Sequence, residues 1–268
     1  FDYLNKPDNL LRYNREKINE SLKNKILSYI NRFSAFLFKQ KVVFISTYLN
    51  PFDLIKLQLS IFQLPYLFPP LIEIPKFEYS KKLRQKLLIN CPGSDFEKLL
   101  YAVLSEHIPL VYIEGFNHTL NESLKFFPKN PKVIFTAAAY ERDEAFKFWA
   151  ASNIENGAKL VGTQHGFNYG AIKWFHEEEH QIKCYDKFYT WGWKSNKFSN
   201  TKVLPAAKFN HKIKNIQPDP SGHILFVTYV WPRYSYKMMT TPVSASQSYK
   251  FIESQTDIVN QLEKEVKK

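Results

Sequence analysis

The first forty residues carry apolar side chains at the spacing of an amphipathic helix. These positions recur every three to five residues, with lysine, arginine, asparagine and glutamate between them: Leu10, Tyr13, Ile18, Leu22, Ile26, Ile30, Phe33 and Leu37. Because residues three to four apart share one helical face, the pattern predicts an N-terminal helical segment over residues 1–40. Its basic residues are typical of a solvated helix face.

From residue 41 onward, short apolar runs alternate with helical patterns. The apolar runs predict strands over residues 41–48, 110–113, 132–137, 159–163 and 187–191. The helical patterns predict helices from Pro51 and over residues 94–107, 119–127 and 142–156. In the second of these helices, Ser94 is the predicted N-cap and Glu97 completes a capping box. This alternation is typical of an α/β fold, so we expect a Rossmann-like domain over residues 41–205, with a mostly parallel sheet covered on both faces.

The alternation then ends. A stretch with few apolar residues and two prolines predicts a linker over residues 206–221. An apolar run over residues 223–230 predicts a strand, and a helical pattern begins at about Ser246. We interpret residues 222–268 as the start of a second, truncated Rossmann-like domain. Because the first residue is Phe1, we expect the sequence to be a segment of a longer protein.

Composition limits the function classes. The chain has 37 Lys and Arg against 25 Asp and Glu, a formal net charge of +12, with 44% hydrophobic and 23% charged residues. These values are ordinary for a globular protein and exclude disordered and collagen-like classes. The most apolar stretch, residues 54–72, contains lysine, glutamine and proline, so no membrane-spanning helix is predicted. Two distant cysteines, Cys91 and Cys184, fit a reducing compartment, and we expect a cytoplasmic protein.

Glycine placement indicates where a ligand binds. The chain has eight glycines, and five of them lie within residues 157–192. At the centre of this stretch, residues 161–170 leave the carboxyl end of a predicted strand, which is where open α/β sheets bind ligands. His165 has the chemistry to donate to a phosphate or carboxylate oxygen, or to act as an acid or base near neutral pH. The alternative is a structural histidine in a strand-to-loop turn.

Four neighbours of His165 complete the predicted binding loop. Gln164 and Asn168 supply neutral hydrogen-bond donors. Gly166 and Gly170 allow backbone amides to approach an anion. We therefore predict that this loop binds an anionic ligand.

Residues at other predicted strand ends are further candidates. Trp191 and Trp193 form either an aromatic wall for a sugar or base, or part of the core. Arg233 follows the predicted strand of the second domain, and its planar, permanently charged guanidinium suits phosphate or carboxylate. Glu114 follows the predicted strand 110–113 and is a candidate general base or ligand for sugar hydroxyls. A salt-bridged or helix-capping glutamate is an equally good interpretation of Glu114.

Two acidic stretches are better explained as helix starts. The run His176–His180 matches the H-E-x-x-H pattern of zinc peptidases, with Glu177 as the general base. However, its remaining positions are charged and no third ligand follows, which favours a solvated helix start whose Glu177 or His180 borders the cleft. Asp143 and Glu144 suit the first turn of the next predicted helix.

Several motifs resemble a bacterial family of surface-carbohydrate transferases over a little more than half the chain. The pieces run in order from residue 112: Tyr112–Phe116, Lys132–Thr136, Asp143–Glu144, Phe148–Ala150, Gln164–Gly166 with Tyr169–Gly170, Thr190–Trp193 and Pro232–Ser235. The Gln-His-Gly-x-x-Tyr-Gly and Trp-Gly-Trp pieces are the most specific. The resemblance implies a GT-B glycosyltransferase, in which two Rossmann-like domains close on a cleft.

The same resemblance implies the ligands and the residues that contact them. Related enzymes use nucleotide-sugar donors, commonly CMP-activated acidic sugars, with a glycan or protein acceptor, and GT-B enzymes generally need no bound metal or other cofactor. Gln164, His165, Gly166, Tyr169 and Gly170 would line the cleft. Arg233 would face them from the second domain. The net charge of +12 is compatible with peripheral contact with an anionic inner membrane.

Two other functions remain open. Teichoic-acid polymerases also place a His-Gly loop at a GT-B cleft, so a phosphotransferase that uses a CDP-alcohol is the first alternative. A non-catalytic module that binds a polyanion through its positive charge is the second. No DNA- or RNA-binding motif accompanies the basic residues, so no nucleic-acid partner is expected.

Overall fold

The fold is described from a computed structural model of the chain. It covers residues 41–67, 72, 74–87, 93–166, 168–173, 175–210, 216–217, 219, 221–222, 225–227 and 247–262. The predicted N-terminal helical segment and Arg233 lie outside these residues. The chain divides into two compact units, residues 1–214 and 215–268, and each is described by itself.

The first unit is an α/β fold. Its strands are β1 (Val42–Ile45), β2 (Val133–Thr136), β3 (Lys159–Thr163), β4 (Lys187–Trp191) and β5 (Thr201–Leu204). Its helices are α1 (Pro51–Ser60), α2 (Lys81–Leu87), α3 (Asp95–His107), α4 (Phe116–Phe126), α5 (Ala139–Arg142), α6 (Glu144–Glu155) and α7 (His176–Cys184). Short 3₁₀ turns lie at Leu110–Tyr112 and Ala207–Phe209. In the second unit, α8 (Gln247–Gln261) confirms the predicted terminal helix.

The five strands form one parallel sheet in the order β1-β2-β3-β4-β5. This confirms the predicted parallel, Rossmann-like arrangement. Since all strands run the same way, their carboxyl ends share one edge of the sheet. Residues that follow β2, β3 and β4 are therefore brought near one another at that edge.

Two clusters of buried side chains hold the sheet against its helices. In the larger cluster, the fully buried Trp149 of α6 stacks on Phe127 with ring centroids 5.0 Å apart, and both pack with Ile134 of β2. The Trp149 indole N–H donates to the Pro128 carbonyl at 2.9 Å, so burying this ring leaves no polar atom unpaired.

The smaller cluster lies between β4 and α7. It joins Tyr169, Ile182, Tyr185 and Phe188. A Cβ at Gly162 would lie 2.6 Å from the Tyr185 ring, so β3 needs glycine where this ring packs on it. The cluster thus supports the beginning of the loop that follows β3.

Two predicted features differ from the structure. The apolar run 110–113 contains a 3₁₀ turn instead of a strand, because the Pro109 carbonyl accepts the Tyr112 amide at 2.9 Å and the Leu110 carbonyl accepts the Ile113 amide at 3.2 Å. The sequence pattern does not predict the edge strand β5. Its last three residues are exposed, and the strand does not form the apolar run that marks a buried strand. In the predicted strand 223–230, the described residues 225–227 have no regular secondary structure, and the rest lies outside the described residues.

Candidate functional site

The carboxyl edge of the sheet brings together residues from two consecutive connections, β2 to β3 and β3 to β4. Glu141 lies on α5, which follows β2, and His165 lies two residues beyond the end of β3. Glu177 and Gln181 lie on α7, which carries the chain from β3 to β4. The prediction that His165 lies at this edge is confirmed.

The imidazole of His165 is held at both nitrogens. Its Nε2 lies 2.8 Å from Glu141 Oε1, and its Nδ1 lies 3.0 Å from the Tyr169 hydroxyl. The His165 side chain keeps 17% of its surface exposed and Glu141 keeps 22%, so both are held in place yet accessible to a ligand.

A ring of hydrogen bonds connects these groups to α7. The Tyr169 hydroxyl donates to Gln181 Oε1 at 2.8 Å, the Gln181 amide donates to the Tyr140 hydroxyl, and that hydroxyl donates to Glu141 Oε1 at 3.2 Å. Burial is the main cause that raises the pKa of Tyr140 and of Tyr169, so both phenols stay neutral near neutral pH.

Glu141 fixes one proton of His165. The carboxylate of Glu141 can only accept a hydrogen bond, so Nε2 of His165 donates to it. Nδ1 of His165 pairs with the Tyr169 hydroxyl, and the tautomer of the imidazole decides which of the two donates.

Glu177 completes a cluster with Glu141 and His165. One ligand atom from each of the three lies within 4.8 Å of the others, and each residue is partly buried. One imidazole and two carboxylates are a donor set for a divalent transition metal, so these residues could hold one. Glu177 therefore borders the site, as predicted. His180 of the H-E-x-x-H run is exposed and contacts Cys184 Sγ at 3.8 Å.

Gln164 holds the loop from inside. Its side chain is buried, its Oε1 accepts from the Trp191 backbone N–H at 2.9 Å and from the Trp193 indole at 2.8 Å, and its Nε2 donates to the Gly166 carbonyl at 2.7 Å. These contacts engage the amide within the protein, and the expected role of Gln164 toward a ligand stays a prediction. They also account for the Trp-Gly-Trp spacing, since two of its residues bind the same oxygen.

Trp191 and Trp193 were interpreted either as an aromatic wall or as part of the core, and the structure places them differently. Trp193 packs against the smaller buried cluster, as a core residue does. Trp191 ends β4 half-buried, with its ring edge-on to Phe209 at 6.1 Å. A role for either ring as a sugar platform stays a prediction.

The two glycines of the loop serve different purposes. Gly170 has φ +72°, and a Cβ there would lie 2.9 Å from the Trp193 ring, so both conformation and space require glycine. Its amide donates to Glu178 Oε2 at 2.6 Å; the anion that it approaches is therefore a side chain of this protein. Gly166 has open space around its Cβ position, and Asn168 is exposed, so both remain available to a ligand.

Glu114 lies in a buried ion pair. Its carboxylate accepts from Arg84 Nε at 2.7 Å and Nη2 at 2.8 Å, and from the Ser80 amide at 2.9 Å. The Arg84 and Glu114 side chains are 1% and 5% exposed. The structure thus confirms the salt-bridged alternative for Glu114, and it corrects the expected position after a strand, since a 3₁₀ turn precedes it.

Sequence reasoning named Tyr169 but missed Glu141, the other partner of His165, and Gln181, the partner of Tyr169. Glu141 lies in the same strand-to-helix junction as Asp143, whose role was predicted: Asp143 caps α6 by accepting from the Phe146 amide at 3.0 Å. The argument that placed His165 at the carboxyl edge applies equally to Glu141 and could have found it. Gln181 carries no such signal, because only folding brings α7 against Tyr169.

A comparison with protein families identifies a family of enzymes. A family model described as LIC12162 family transferase matches residues 3–268. The chain belongs to this family. It is therefore a transferase with a parallel α/β fold. No curated protein and no solved structure matches the chain. None of the described helices of this transferase is both long enough and apolar enough to cross a membrane.

Proposed function

We propose that this LIC12162 family transferase is a glycosyltransferase of bacterial surface-carbohydrate biosynthesis. It would move a sugar from a nucleotide-activated donor to a glycan or protein acceptor, with a GT-B arrangement in the complete protein. Transferase membership, the parallel Rossmann-like sheet and the motif resemblance support this proposal. The observation that carries it is the accessible cluster of Glu141, His165 and Glu177 at the carboxyl edge of the sheet.

The charge of this cluster favours proton transfer over phosphate binding. Two carboxylates outweigh a single imidazole in either of its protonation states, so the cluster is negative. A phosphate oxygen about 4 Å from a carboxylate is opposed by roughly 4 kcal/mol at an effective dielectric constant of about 20. An acceptor sugar hydroxyl meets no such repulsion, because carboxylates accept its proton in a hydrogen bond. We therefore assign the cluster to the acceptor.

Within the cluster, the two glutamates take different roles. Glu141 Oε1 accepts from both His165 and Tyr140, and we assign Glu141 the role of a positioning residue. Glu177, the second carboxylate of the cluster, is the proposed general base. The acceptor O–H proton passes to Glu177, the oxygen bonds to the anomeric carbon, and the nucleotide leaves with the electron pair of the broken C–O bond. His165 orients the hydroxyl.

The test uses the complete protein with a panel of CMP-, UDP-, GDP- and CDP-activated donors, and follows nucleotide release by phosphorus NMR. We expect release from one sugar donor, and a loss of about 10²–10⁴-fold in Glu177→Gln. Glu179→Gln is the matched control, because Glu179 lies on the same helix and pairs with Lys183 and Lys197 at the surface. Equal turnover in both variants would contradict the assignment of the base.

The same experiment separates the alternatives. A product that retains phosphorus would identify a phosphotransferase that uses a CDP-alcohol. No nucleotide release from any donor of the panel, together with salt-sensitive binding to polyanions, would favour a binding module. Dialysis against EDTA tests whether the three-residue cluster works through a metal: unchanged turnover supports the proton-transfer assignment, and loss restored by a divalent ion overturns it.

A further inference from the structure

The cluster of Glu141, His165 and Glu177 has the ligand arrangement of a metal site. One ligand atom from each residue lies within 4.8 Å of the other two, and all three residues are partly buried. They are supplied by the connection from β2 to β3 and by the connection from β3 to β4. Zinc sites that also bind a water or a substrate use three protein ligands and keep a fourth position open. The cluster offers that number of ligands.

The contacts around the cluster are also those of a metal site. A histidine that binds metal does so through one ring nitrogen and holds the other in a hydrogen bond, and ligating carboxylates are hydrogen-bonded in turn. Here Nε2 of His165 faces Glu141 Oε1 at 2.8 Å, while Nδ1 pairs with the Tyr169 hydroxyl at 3.0 Å. The Tyr140 hydroxyl donates to Glu141 Oε1 at 3.2 Å.

The hydroxyl of Tyr169 suits a histidine that binds metal through Nε2. Such an imidazole is neutral and keeps its proton on Nδ1. Nδ1 then donates to the Tyr169 oxygen, and the Tyr169 hydroxyl donates to Gln181 Oε1 at 2.8 Å. Tyr169 and Gln181 are both buried, so this support for the imidazole is fixed by packing.

Charge and ligand type favour zinc. A neutral imidazole with two carboxylates carries a charge of −2, which balances one divalent cation. Imidazole suits zinc, and a site of given ligands binds Zn²⁺ more tightly than Mn²⁺. Tetrahedral zinc spaces its nitrogen and oxygen ligands about 3.4 Å apart, so Nε2 of His165 and Oε1 of Glu141 would separate by about 0.6 Å as the ion replaces the proton between them.

We propose that Zn²⁺ binds to Glu141, His165 and Glu177 and inhibits the transferase by excluding the acceptor. The ion would take Nε2 of His165, whose proton is released to solvent, and one oxygen of each glutamate. Glu177 then cannot receive the acceptor proton. The inhibition rests on the proposed function of the cluster, whereas the binding of zinc does not.

Calorimetric titration of the complete protein with Zn²⁺, after dialysis against EDTA, tests the binding without any turnover. We expect His165→Ala and Glu177→Gln each to bind one zinc fewer than wild type. Tyr169→Phe should weaken the binding of that zinc by about 10–100-fold, because Nδ1 of His165 loses its partner. If His165→Ala keeps its fold by circular dichroism and binds as many zinc ions as wild type, the proposal is overturned.

An exposed pair on α7 provides the matched control. His180 Nε2 and Cys184 Sγ lie 3.8 Å apart and are ligand types that zinc also accepts. The double change His180→Ala with Cys184→Ser should leave the zinc affinity of the cluster within twofold of wild type. Loss of one zinc in this double variant, without a loss in His165→Ala, would assign the ion to the exposed pair and overturn the proposal.

Nucleotide release by the same proteins tests the inhibition. We expect added Zn²⁺ to slow the wild type and the His180→Ala, Cys184→Ser variant alike, and excess acceptor to restore the rate, because ion and acceptor compete for Glu177. A rate that zinc raises, or an inhibition that acceptor does not relieve, would overturn the competition. If no donor supports turnover, the proposed function fails, and the calorimetric result still decides the zinc site.

Discussion

Removing one partner of the Arg84–Glu114 pair should destabilise the fold severely. Both side chains are almost fully buried, and the guanidinium binds both carboxylate oxygens, at 2.7 and 2.8 Å. Arg84 Nη1 also donates to the carbonyls of Ser105 and Glu106, at 2.9 and 3.1 Å, and so ties α2 to α3. Either single change, Arg84→Met or Glu114→Leu, leaves a charge buried without its counterion.

The expected magnitude follows from that geometry. Breaking a buried pair from one side costs about 3–5 kcal/mol, whereas replacing both partners by apolar residues of similar volume is often close to neutral. The double variant Arg84→Met with Glu114→Leu should therefore cost well under the sum of the single changes. We expect a coupling free energy of at least about 2 kcal/mol in a double-mutant cycle.

Urea unfolding of the four proteins, followed by circular dichroism, measures these free energies. Single losses below about 1 kcal/mol, or additive losses, would refute the argument. Turnover of the double variant adds a second readout. If Glu114 is structural, a folded double variant keeps its activity; a folded but inactive double variant would restore Glu114 as a catalytic residue.

The same pair gives a pH dependence. Burial raises the pKa of Glu114, but hydrogen bonds from Arg84 and from the Ser80 amide outweigh it, so the pKa in the folded state lies below its ordinary 4.5. A depressed carboxyl pKa contributes stability above the unfolded value, and that contribution is lost as the pH falls through the folded value. Below about pH 4.5 the wild type should therefore lose stability more steeply than Glu114→Leu.

Two further results are expected from stability measurements. Gly170→Ala should lower the free energy of unfolding by at least about 1–2 kcal/mol, because its φ is +72° and the new Cβ meets Trp193. Gly166→Ala should leave this free energy nearly unchanged, and equal urea midpoints of the two variants would contradict the prediction. The raised pKa values of Tyr140 and Tyr169 predict stability that is present below pH 10.0 and lost above it, since the unfolded phenols ionise there first. Replacing both tyrosines by phenylalanine should flatten that alkaline loss, and an unchanged alkaline profile would argue against it.

The sheet could be predicted from the sequence where local signals agree. The capping box of Ser94 and Glu97 marks the start of α3, and the apolar runs of β2, β3 and β4 have helices beside them. Local signals fail at residues 110–113, whose composition suits a strand equally well but which curl toward Gly115. They also fail at the exposed edge strand β5, whose identity as a strand depends on pairing with β4.

The same distinction between local signals and tertiary packing applies to the candidate site. His165 was predictable because the carboxyl edge of a parallel sheet follows from topology. The direction of each side chain could not be predicted. Gln164 turns inward to two tryptophans, one on β4 and one in the loop after it. Tyr169 turns inward to a glutamine on α7. Glu141 and Gln181 lie 40 residues apart in the chain, and only tertiary packing joins them through Tyr140.

The rate of nucleotide release by His165→Ala tests the central claim most directly. In the complete protein with its sugar donor and acceptor, we expect this variant to release nucleotide about 10²–10⁴-fold more slowly than wild type, with an unchanged circular dichroism spectrum. His180→Ala, an exposed histidine on α7, should keep the wild-type rate. A folded His165→Ala protein that turns over at the wild-type rate would show that the Glu141–His165–Glu177 cluster is not the catalytic site.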